Sequence, residues 1–150
     1  MLFAQFYLDE YRYVISTANV VEIVPGIRLT PIPKVPPYIA GLCNYRGFSV
    51  PVIDLCELFL NRPCNKNLSS RIIFLDSKRP GIKNNLVGLM VEKATEIQNI
   101  DEGSFVDSGI HNEDMPFIGP VVADNHGLVT RVLAEEIIDQ VDNELLFSGA

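Results

Sequence analysis

Side chains that could carry out nucleophilic, acid–base or metal chemistry are few and scattered in this chain of 150 residues. Its two histidines, His111 and His126, lie in polar segments without a neighbouring metal-ligand spacing. The sequence has no nucleophile elbow, no H-E-x-x-H motif and no glycine-rich phosphate loop. A nucleophile and its base meet only in the fold. A small hydrolase on a β-barrel therefore stays an alternative, and loss of activity in a histidine variant would test it.

Two pairs of adjacent carboxylates, Asp101-Glu102 and Glu113-Asp114, are the next candidates for chemistry. Neighbouring residues on a strand point to opposite faces, which does not favour paired acid–base work. We interpret both pairs as solvated surface charge. The sequence therefore favours a binding protein over an enzyme, and it predicts no catalytic residue and no cofactor.

Three cysteines, Cys43, Cys56 and Cys64, are the remaining reactive side chains. An odd number without a C-x-x-C pair fits neither a disulfide framework nor a zinc site, so no metal is predicted. Cys43 and Cys56 lie in apolar runs and are expected to be small buried hydrophobes. Cys64 lies in a polar loop and is a candidate for an exposed thiol.

The tetrad Asn44-Tyr45-Arg46-Gly47 separates two apolar runs and predicts a tight turn between paired strands, because Asn and Gly reach positive φ cheaply. Such a turn projects Tyr45 and Arg46 outward. These are residue types that often dominate protein–protein contacts. The alternative interpretation is a solvated arginine in an ordinary hairpin.

Many short strands with glycine and proline turns must position this tetrad, and they indicate a β-barrel or sandwich with about five strands in each half. Pro51 implies an edge position or a bulge in its strand, since proline cannot donate to a ladder. Asp54 is expected to cap a short helix whose buried face is Leu55, Leu58 and Phe59. A closing helix is predicted at 134–141. The predicted strands are 3–8, 11–15, 20–24, 38–43, 48–53, 71–75, 86–91, 94–100, 117–122 and 127–133.

Net charge and hydropathy limit the partners and the location of the chain. The charge of −7 argues against nucleic acid or an anionic membrane as the main partner. No apolar stretch approaches the roughly 20 residues that span a bilayer, and residues 1–13 lack the features of a signal peptide. We therefore expect a cytoplasmic protein without direct membrane insertion, folded as one domain or as two small lobes with a shared interior. The basic segment 76–85 is interpreted as a mobile, solvated hairpin tip.

The central stretch closely resembles the chemotaxis coupling-protein family, the CheW-like domains. It contains the family's proline-bounded segment ending in Gly41, its Asn-x-Arg-Gly turn, and a Val-Pro-Val-Ile-Asp-Leu strand that includes Pro51 and Asp54. Weaker blocks agree at 20–24 and at 87–97, where Gly88 leads a strand pair. The resemblance covers nearly the whole chain, as a single CheW-like domain over 1–150.

The resemblance implies an all-β fold of two small five-stranded SH3-like β-barrel lobes that share an apolar interior, with short helices and a C-terminal helix. It implies a non-catalytic adapter that joins chemoreceptor cytoplasmic tips to the regulatory domain of a CheA-type histidine kinase. The adapter would lie in receptor arrays at the inner face of the membrane, with ring assemblies left open. A pilus-motility or other non-flagellar chemosensory pathway fits the same resemblance.

Receptor binding is implied in the groove between the lobes, and kinase contact on the outer surface of a lobe. A rigid arginine beside an apolar shelf suits a helical receptor tip, because a guanidinium can pair bidentately with a carboxylate. The positions that match the family's receptor site, together with the rest of the turn, are Val20, Glu22, Asn44, Tyr45, Arg46 and Gly47.

Several features depart from the family pattern. Cys43 and Tyr45 occupy positions that are more often aliphatic in the family. The tip at 78–85 is extended and the loop at 107–115 is unusual, and the sequence predicts no role for either.

Overall fold

A computed structural model describes residues 1–26, 28–78 and 85–141 of the chain. These residues form ten strands, two helices and two single 3-10 turns, at Thr17–Asn19 and Glu102–Ser104. In chain order the elements are β1 (Leu2–Leu8), β2 (Tyr11–Ser16), β3 (Val20–Pro25), β4 (Ile39–Tyr45), β5 (Phe48–Asp54), α1 (Leu55–Leu60), β6 (Arg71–Asp76), β7 (Leu86–Val91), β8 (Lys93–Asn99), β9 (Ile118–Asp124), β10 (Gly127–Val132) and α2 (Ala134–Val141). The predicted strands and helices are thus confirmed with small shifts of their ends.

The strands form two five-stranded sheets. The expected number of strands per lobe is confirmed, but the lobes are not the two halves of the sequence, because β3 to β7 form one sheet and the strands before and after them form the other. The sheet of lobe one has the order β8-β1-β2-β10-β9, and the sheet of lobe two has the order β3-β6-β7-β5-β4. Both sheets repeat one pattern from edge to edge, in which the pairs are antiparallel, antiparallel, parallel and antiparallel. The two lobes therefore share one topology.

The two five-stranded lobes are of the SH3-like kind that the resemblance implies, although their sheets do not close into barrels. Within the described residues no backbone ladder joins β8 to β9, or β3 to β4. Side chains complete the curl of lobe two instead, because Tyr45 at the end of β4 reaches Glu22 on β3.

Lobe two is inserted into lobe one, so the chain crosses between the lobes twice. The first crossing is the 3-10 turn Thr17–Asn19, which connects β2 to β3. The second is the single residue Glu92, which connects β7 to β8. Because only one residue separates β7 from β8, the chain has little conformational freedom at the second crossing.

One apolar cluster fills the space between the lobes, as the resemblance implies. Phe6 and Ile15 enter it from lobe one, and Ile53 and Leu89 enter it from lobe two, each with no exposed surface. Helix α2 adds its apolar face, which consists of Ala134, Ile137, Ile138 and Val141. A smaller cluster covers the other face of lobe one and includes Phe3, Val14 and Val129.

Asp54 ends β5 and caps α1, as predicted. Its carboxylate accepts the backbone N–H groups of Cys56 at 2.9 Å and Glu57 at 3.2 Å. The buried face of α1 differs in part from the prediction, because Leu55 and Cys56 are fully buried while Leu58 and Phe59 are half-buried against the core. The last turn of this short helix lies nearer the surface than its first.

Pro51 was predicted at an edge or a bulge, and the edge position is wrong, since β5 lies between β7 and β4. Pairing of β5 with β7 begins only at Val52, one residue after the proline. The missing N–H of Pro51 therefore falls outside that ladder. The pairing of β4 with β5 does contain a register shift, but it lies in β4, between Ile39 and Gly41, and not at Pro51.

The predicted basic tip falls largely on residues 79–84, which lie outside the described residues. Of its three cations, Lys78 is described and exposed. The described helices include none that is long and apolar enough to cross a bilayer.

Gly88 offers a test of core packing. A Cβ at this position would lie 2.9 Å from Cγ2 of Ile72 and 3.1 Å from Cγ2 of Val52, both on neighbouring strands. We expect Gly88→Ala to lower the free energy of unfolding by about 1–3 kcal/mol through overpacking. Urea unfolding measures this change.

The matched control is Gly103→Ala, whose Cβ would lie 3.6 Å from Oδ1 of Asp101, an ordinary contact. Equal stability of the two variants would show that β7 can move away from its neighbours without cost.

Candidate functional site

The predicted turn is a two-residue hairpin connection between β4 and β5. Arg46 and Gly47 occupy its two central positions with φ of 51° and 86°. Positive φ at both positions is the twist that a two-residue hairpin needs. The Asn44 side chain accepts the N–H of Gly47 at 3.1 Å and so closes the turn. The backbone that carries Arg46 is therefore held in one conformation by local bonds.

Tyr45 connects this turn to the far edge of lobe two. Its ring lies against Phe74 of β6, with the ring centroids 4.2 Å apart. Its hydroxyl donates a hydrogen bond to Oε2 of Glu22 on β3. The side chain thus spans the sheet from one edge strand to the other.

Arg46 is presented to solvent rather than sealed in the interior. Its side chain is 73% exposed, and Nη2 lies 3.4 Å from Oε2 of Glu22. The guanidinium carbon lies 5.2 Å from the centroid of the Tyr45 ring, which orients the group by a cation–π contact. This long contact through one nitrogen leaves most of the guanidinium donors accessible to a carboxylate from outside the chain.

Val20 and Glu22 are placed differently from simple strand alternation. The register of β3 on β6 shifts between them, so Val20 pairs with Leu75 and Glu22 pairs with Phe74. Consecutive residues of β6 point to opposite faces. The shift therefore directs Glu22 toward Tyr45, while the half-buried Val20 packs on the shared core beside the first crossing.

Hydrogen bonding to Glu22 raises the pKa of the Tyr45 hydroxyl, and partial burial adds to the effect. The phenol therefore stays protonated at neutral pH and acts as a donor to the carboxylate. Tyr45 and Arg46 both donate to Oε2 of Glu22, and the contact from Arg46 is the weaker one, at 3.4 Å. The guanidinium therefore keeps most of its donors for groups outside the chain.

Gly41 belongs to the structural part of the family motif. Its φ is 145°, and a Cβ there would lie 2.5 Å from the carbonyl oxygen of Thr30. The loop after β3 crosses β4 at this point, where Thr30 and Leu42 exchange two backbone hydrogen bonds of 2.8 Å. Only glycine fits this close approach.

Cys64 was a candidate for an exposed thiol, and that prediction is wrong, since the residue is only 5% exposed. Its loop folds inward because its N–H donates to the Asp54 carboxylate, and its thiol contacts the carbonyl of Met90 at 3.5 Å. Hydrogen bonding with Cys56 and burial raise the pKa of the Cys64 thiol.

Ligand atoms of Asp54, Cys56 and Cys64 lie within 4.8 Å of one another, so this group could in principle hold a metal. The Asp54 carboxylate already accepts three backbone N–H groups, from Cys56, Glu57 and Cys64. The arrangement therefore fits a hydrogen-bonded helix cap in the core better than a metal centre.

The residues considered for catalysis lie on the surface of lobe one. His126 is in the turn between β9 and β10, and His111 lies in the long loop with Nε2 3.2 Å from Oδ2 of Asp107. Asp101 caps the 3-10 turn through Gly103, and Glu102 lies 3.3 Å from Arg131. These contacts give the first carboxylate pair a structural role.

The fold and the turn together define a two-lobed β-rich protein with an exposed arginine on a hairpin that local hydrogen bonds close. The model of the CheW-like domain family matches residues 3–142. The chain therefore belongs to the CheW-like domain family, and it is a chemotaxis coupling adapter.

Individual relatives agree over most of their length. The chain is 26% identical over 139 residues to chemotaxis protein CheW of Helicobacter pylori, covering 91% of this chain and 80% of that protein. It is 27% identical over 142 residues to chemotaxis protein CheW of Bacillus subtilis, covering 93% and 87%. A crystal structure of scaffolding protein TtCheW from Thermoanaerobacter tengcongensis superimposes with a TM-score of 0.79 at 27% identity, covering 97% of this chain and 92% of that one.

Sequence reasoning missed two parts of the molecule. Phe74, on which Tyr45 rests, is one of several apolar residues in β6, and no local signal distinguishes it. Glu92 was included in the family block at 87–97 but was given no role. An acidic residue between two predicted strands, without turn-forming residues beside it, could have indicated a special position.

The hydrogen bond between Tyr45 and Glu22 can be measured directly. We expect Glu22→Gln to bring the pKa of Tyr45 back toward that of an ordinary tyrosine, because the carboxylate is the main cause of the raised value. Carbon-13 NMR of labelled tyrosine Cζ across an alkaline titration resolves the five tyrosines.

Tyr13, whose pKa is raised by burial, serves as the internal control and should not change. A Tyr45 titration that is the same with and without the Glu22 carboxylate would contradict the hydrogen bond from Tyr45 to Glu22.

Proposed function

We propose that this protein is a non-catalytic adapter that couples the cytoplasmic tips of chemoreceptors to the regulatory domain of a CheA-type histidine kinase. The observation that carries the proposal is the exposed guanidinium of Arg46 on a rigid hairpin beside Glu22. Membership of the CheW-like family supports the pathway. The site of action is the cytoplasm, at receptor arrays.

The receptor is proposed to bind where the turn, Glu22 and Val20 come together next to the first crossing between the lobes. A receptor tip is a helical hairpin, and a helix docks through an apolar stripe and flanking charges. Val20 supplies apolar surface, and Val21 beside it is 51% exposed. Arg46 supplies the fork for a receptor carboxylate.

Tyr45 acts in this proposal as a positioning residue rather than as a receptor contact. It is half-buried on Phe74 and engaged with Glu22, which leaves little of it for a partner. The family's more common aliphatic residue would lack this hydroxyl. The tyrosine therefore sets how strongly Glu22 pairs with Arg46, and so how freely Arg46 meets the receptor.

An adapter also needs a second face, and we propose a groove of about 760 Å³ on lobe two for the kinase domain. None of the six receptor-site residues lines it. Its lining is largely apolar and includes Leu29, Pro31 and Met90, and Leu68 on its border is 98% exposed. Arg28 and Lys66 give the groove a positive charge that suits an acidic apolar partner surface.

Arg46→Ala is expected to weaken receptor binding by about 30-fold, the effect of losing a central anchor worth about 2 kcal/mol. Fold stability should stay within about 0.5 kcal/mol, since the side chain is exposed. The measurement is calorimetric titration with the receptor fragment that co-purifies with the protein from its native cell.

Arg46→Lys is the matched control, because it keeps the charge and loses the fork. An affinity between those of the wild type and of Arg46→Ala is expected. Receptor affinity that is unchanged in Arg46→Ala would overturn the assigned role.

Leu68→Ser is expected to weaken binding of the kinase regulatory domain by about 10-fold while receptor affinity stays unchanged. Arg46→Ala should show the opposite pattern, so each variant controls for the other. Loss of both affinities in either variant would show that the two faces are not separate.

A further inference from the structure

Glu92 is the whole connection between lobe two and lobe one at the second crossing. It follows the last residue of β7 and precedes the first residue of β8. Its own N–H donates to the carbonyl of Tyr7 on β1 at 3.2 Å. Its side chain is only 8% exposed, which is unusual for a glutamate without a dedicated partner.

The Glu92 carboxylate accepts four hydrogen bonds that come from both lobes. From lobe two, Arg62 donates Nη1 to Oε2 and Nη2 to Oε1, each at 3.0 Å, and the N–H of Asn65 donates to Oε2 at 2.6 Å. From lobe one, the N–H of Asp9 in the turn between β1 and β2 donates to Oε1. One carboxylate therefore fastens the β1–β2 turn to the loop that follows α1.

The Glu92 carboxylate stays ionised across the physiological pH range. The Arg62 guanidinium and the two backbone N–H groups lower the pKa of Glu92 to about 2. A buried carboxylate of this kind is costly without its partners, so loss of any donor weakens the whole arrangement.

At the first crossing, the part of the chain that the structure describes shows no comparable buried bond. There the side chain of Asn19 donates to Glu135 of α2 at 3.1 Å, and this contact is exposed. Surface contacts of this type contribute little to stability. Of the two crossings, the second is therefore the one that resists a change in the angle between the lobes.

We propose that Glu92 is a positioning residue for receptor coupling, which sets the angle between the lobes and thereby the width of the groove beside Val20 and Arg46. The inference rests on the proposed function, because that function places the receptor in this groove. The proposed kinase groove lies wholly on lobe two, so the angle between the lobes does not set its width, although its lining residues Lys66 to Leu68 follow Asn65 in the loop that Glu92 holds.

The test uses the full chain with Glu92→Gln, which keeps the shape of the side chain and removes its charge. Spin labels at Ser49→Cys on β5 of lobe two and Glu96→Cys on β8 of lobe one report the distance between lobes by electron paramagnetic resonance, because both positions lie on strands away from the loop after α1. Both positions are exposed, and the native cysteines are buried. We expect a broadened distance distribution and receptor affinity at least 10-fold weaker, with a clearly smaller loss of kinase-domain affinity.

Asp124→Asn is the matched control. Asp124 accepts a bidentate pair from Arg12 at 2.6 and 2.7 Å, but both residues belong to lobe one. Its loss should leave the distance distribution and both affinities as in the wild type. If Glu92→Gln does not fold, Arg62→Met removes two of the four donors and is expected to broaden the distribution in the same direction.

An unchanged distance distribution in these variants would overturn the inference. Equal loss of receptor and kinase binding would also overturn it, since that pattern marks general destabilisation. The distance measurement does not involve any partner. A broadened distribution in a protein whose wild type binds no receptor would therefore refute the proposed function and leave the mechanical role of Glu92 intact.

Discussion

The structure depends on one constraint, which is that the apolar residues of both curled sheets must be kept from water in one shared cluster. Each lobe contributes fully buried residues to this cluster, such as Phe6 from lobe one and Ile53 from lobe two. A sheet with an apolar face must be covered by further apolar groups, and here the common cluster of the two lobes provides this cover. Helix α2 fills the remaining gap with its apolar stripe.

Apolar packing is not directional, so polar contacts must fix how the two lobes meet. The Glu92 carboxylate does this between the lobes, with donors from Asp9, Arg62 and Asn65. The contact of Tyr45 with Glu22 does the same between the edges of lobe two. Both are polar contacts placed where backbone ladders end.

This combination of apolar packing and polar contacts suits an adapter, which must present surfaces at fixed positions. A rigid body loses little conformational entropy on binding, which leaves more of the contact energy for affinity. The Asn44 side chain closes the hairpin that carries Arg46, and the guanidinium is oriented by the Tyr45 ring and by Glu22. Recognition through a preorganised guanidinium is the physical basis of the proposed coupling.

Local sequence determined the elements and the shape of the turn. The hairpin at Arg46-Gly47, the cap at Asp54 and the stripe of α2 each follow from short-range rules, because backbone conformation and side-chain periodicity are local properties. Periodicity alone could not distinguish a barrel from a sandwich. The two-lobed arrangement was predicted from the match of the 36–55 stretch to the family pattern.

Tertiary structure alone decided the rest, because each remaining feature depends on residues far apart in the sequence. The burial of Cys64 depends on Asp54, ten residues earlier. The interior place of the Pro51 strand depends on a parallel pairing with β7. The bond from Tyr45 to Glu22 spans 23 residues, and that from Glu92 to Asp9 spans 83. Such contacts form only when the sheets curl and pack, which no local pattern encodes.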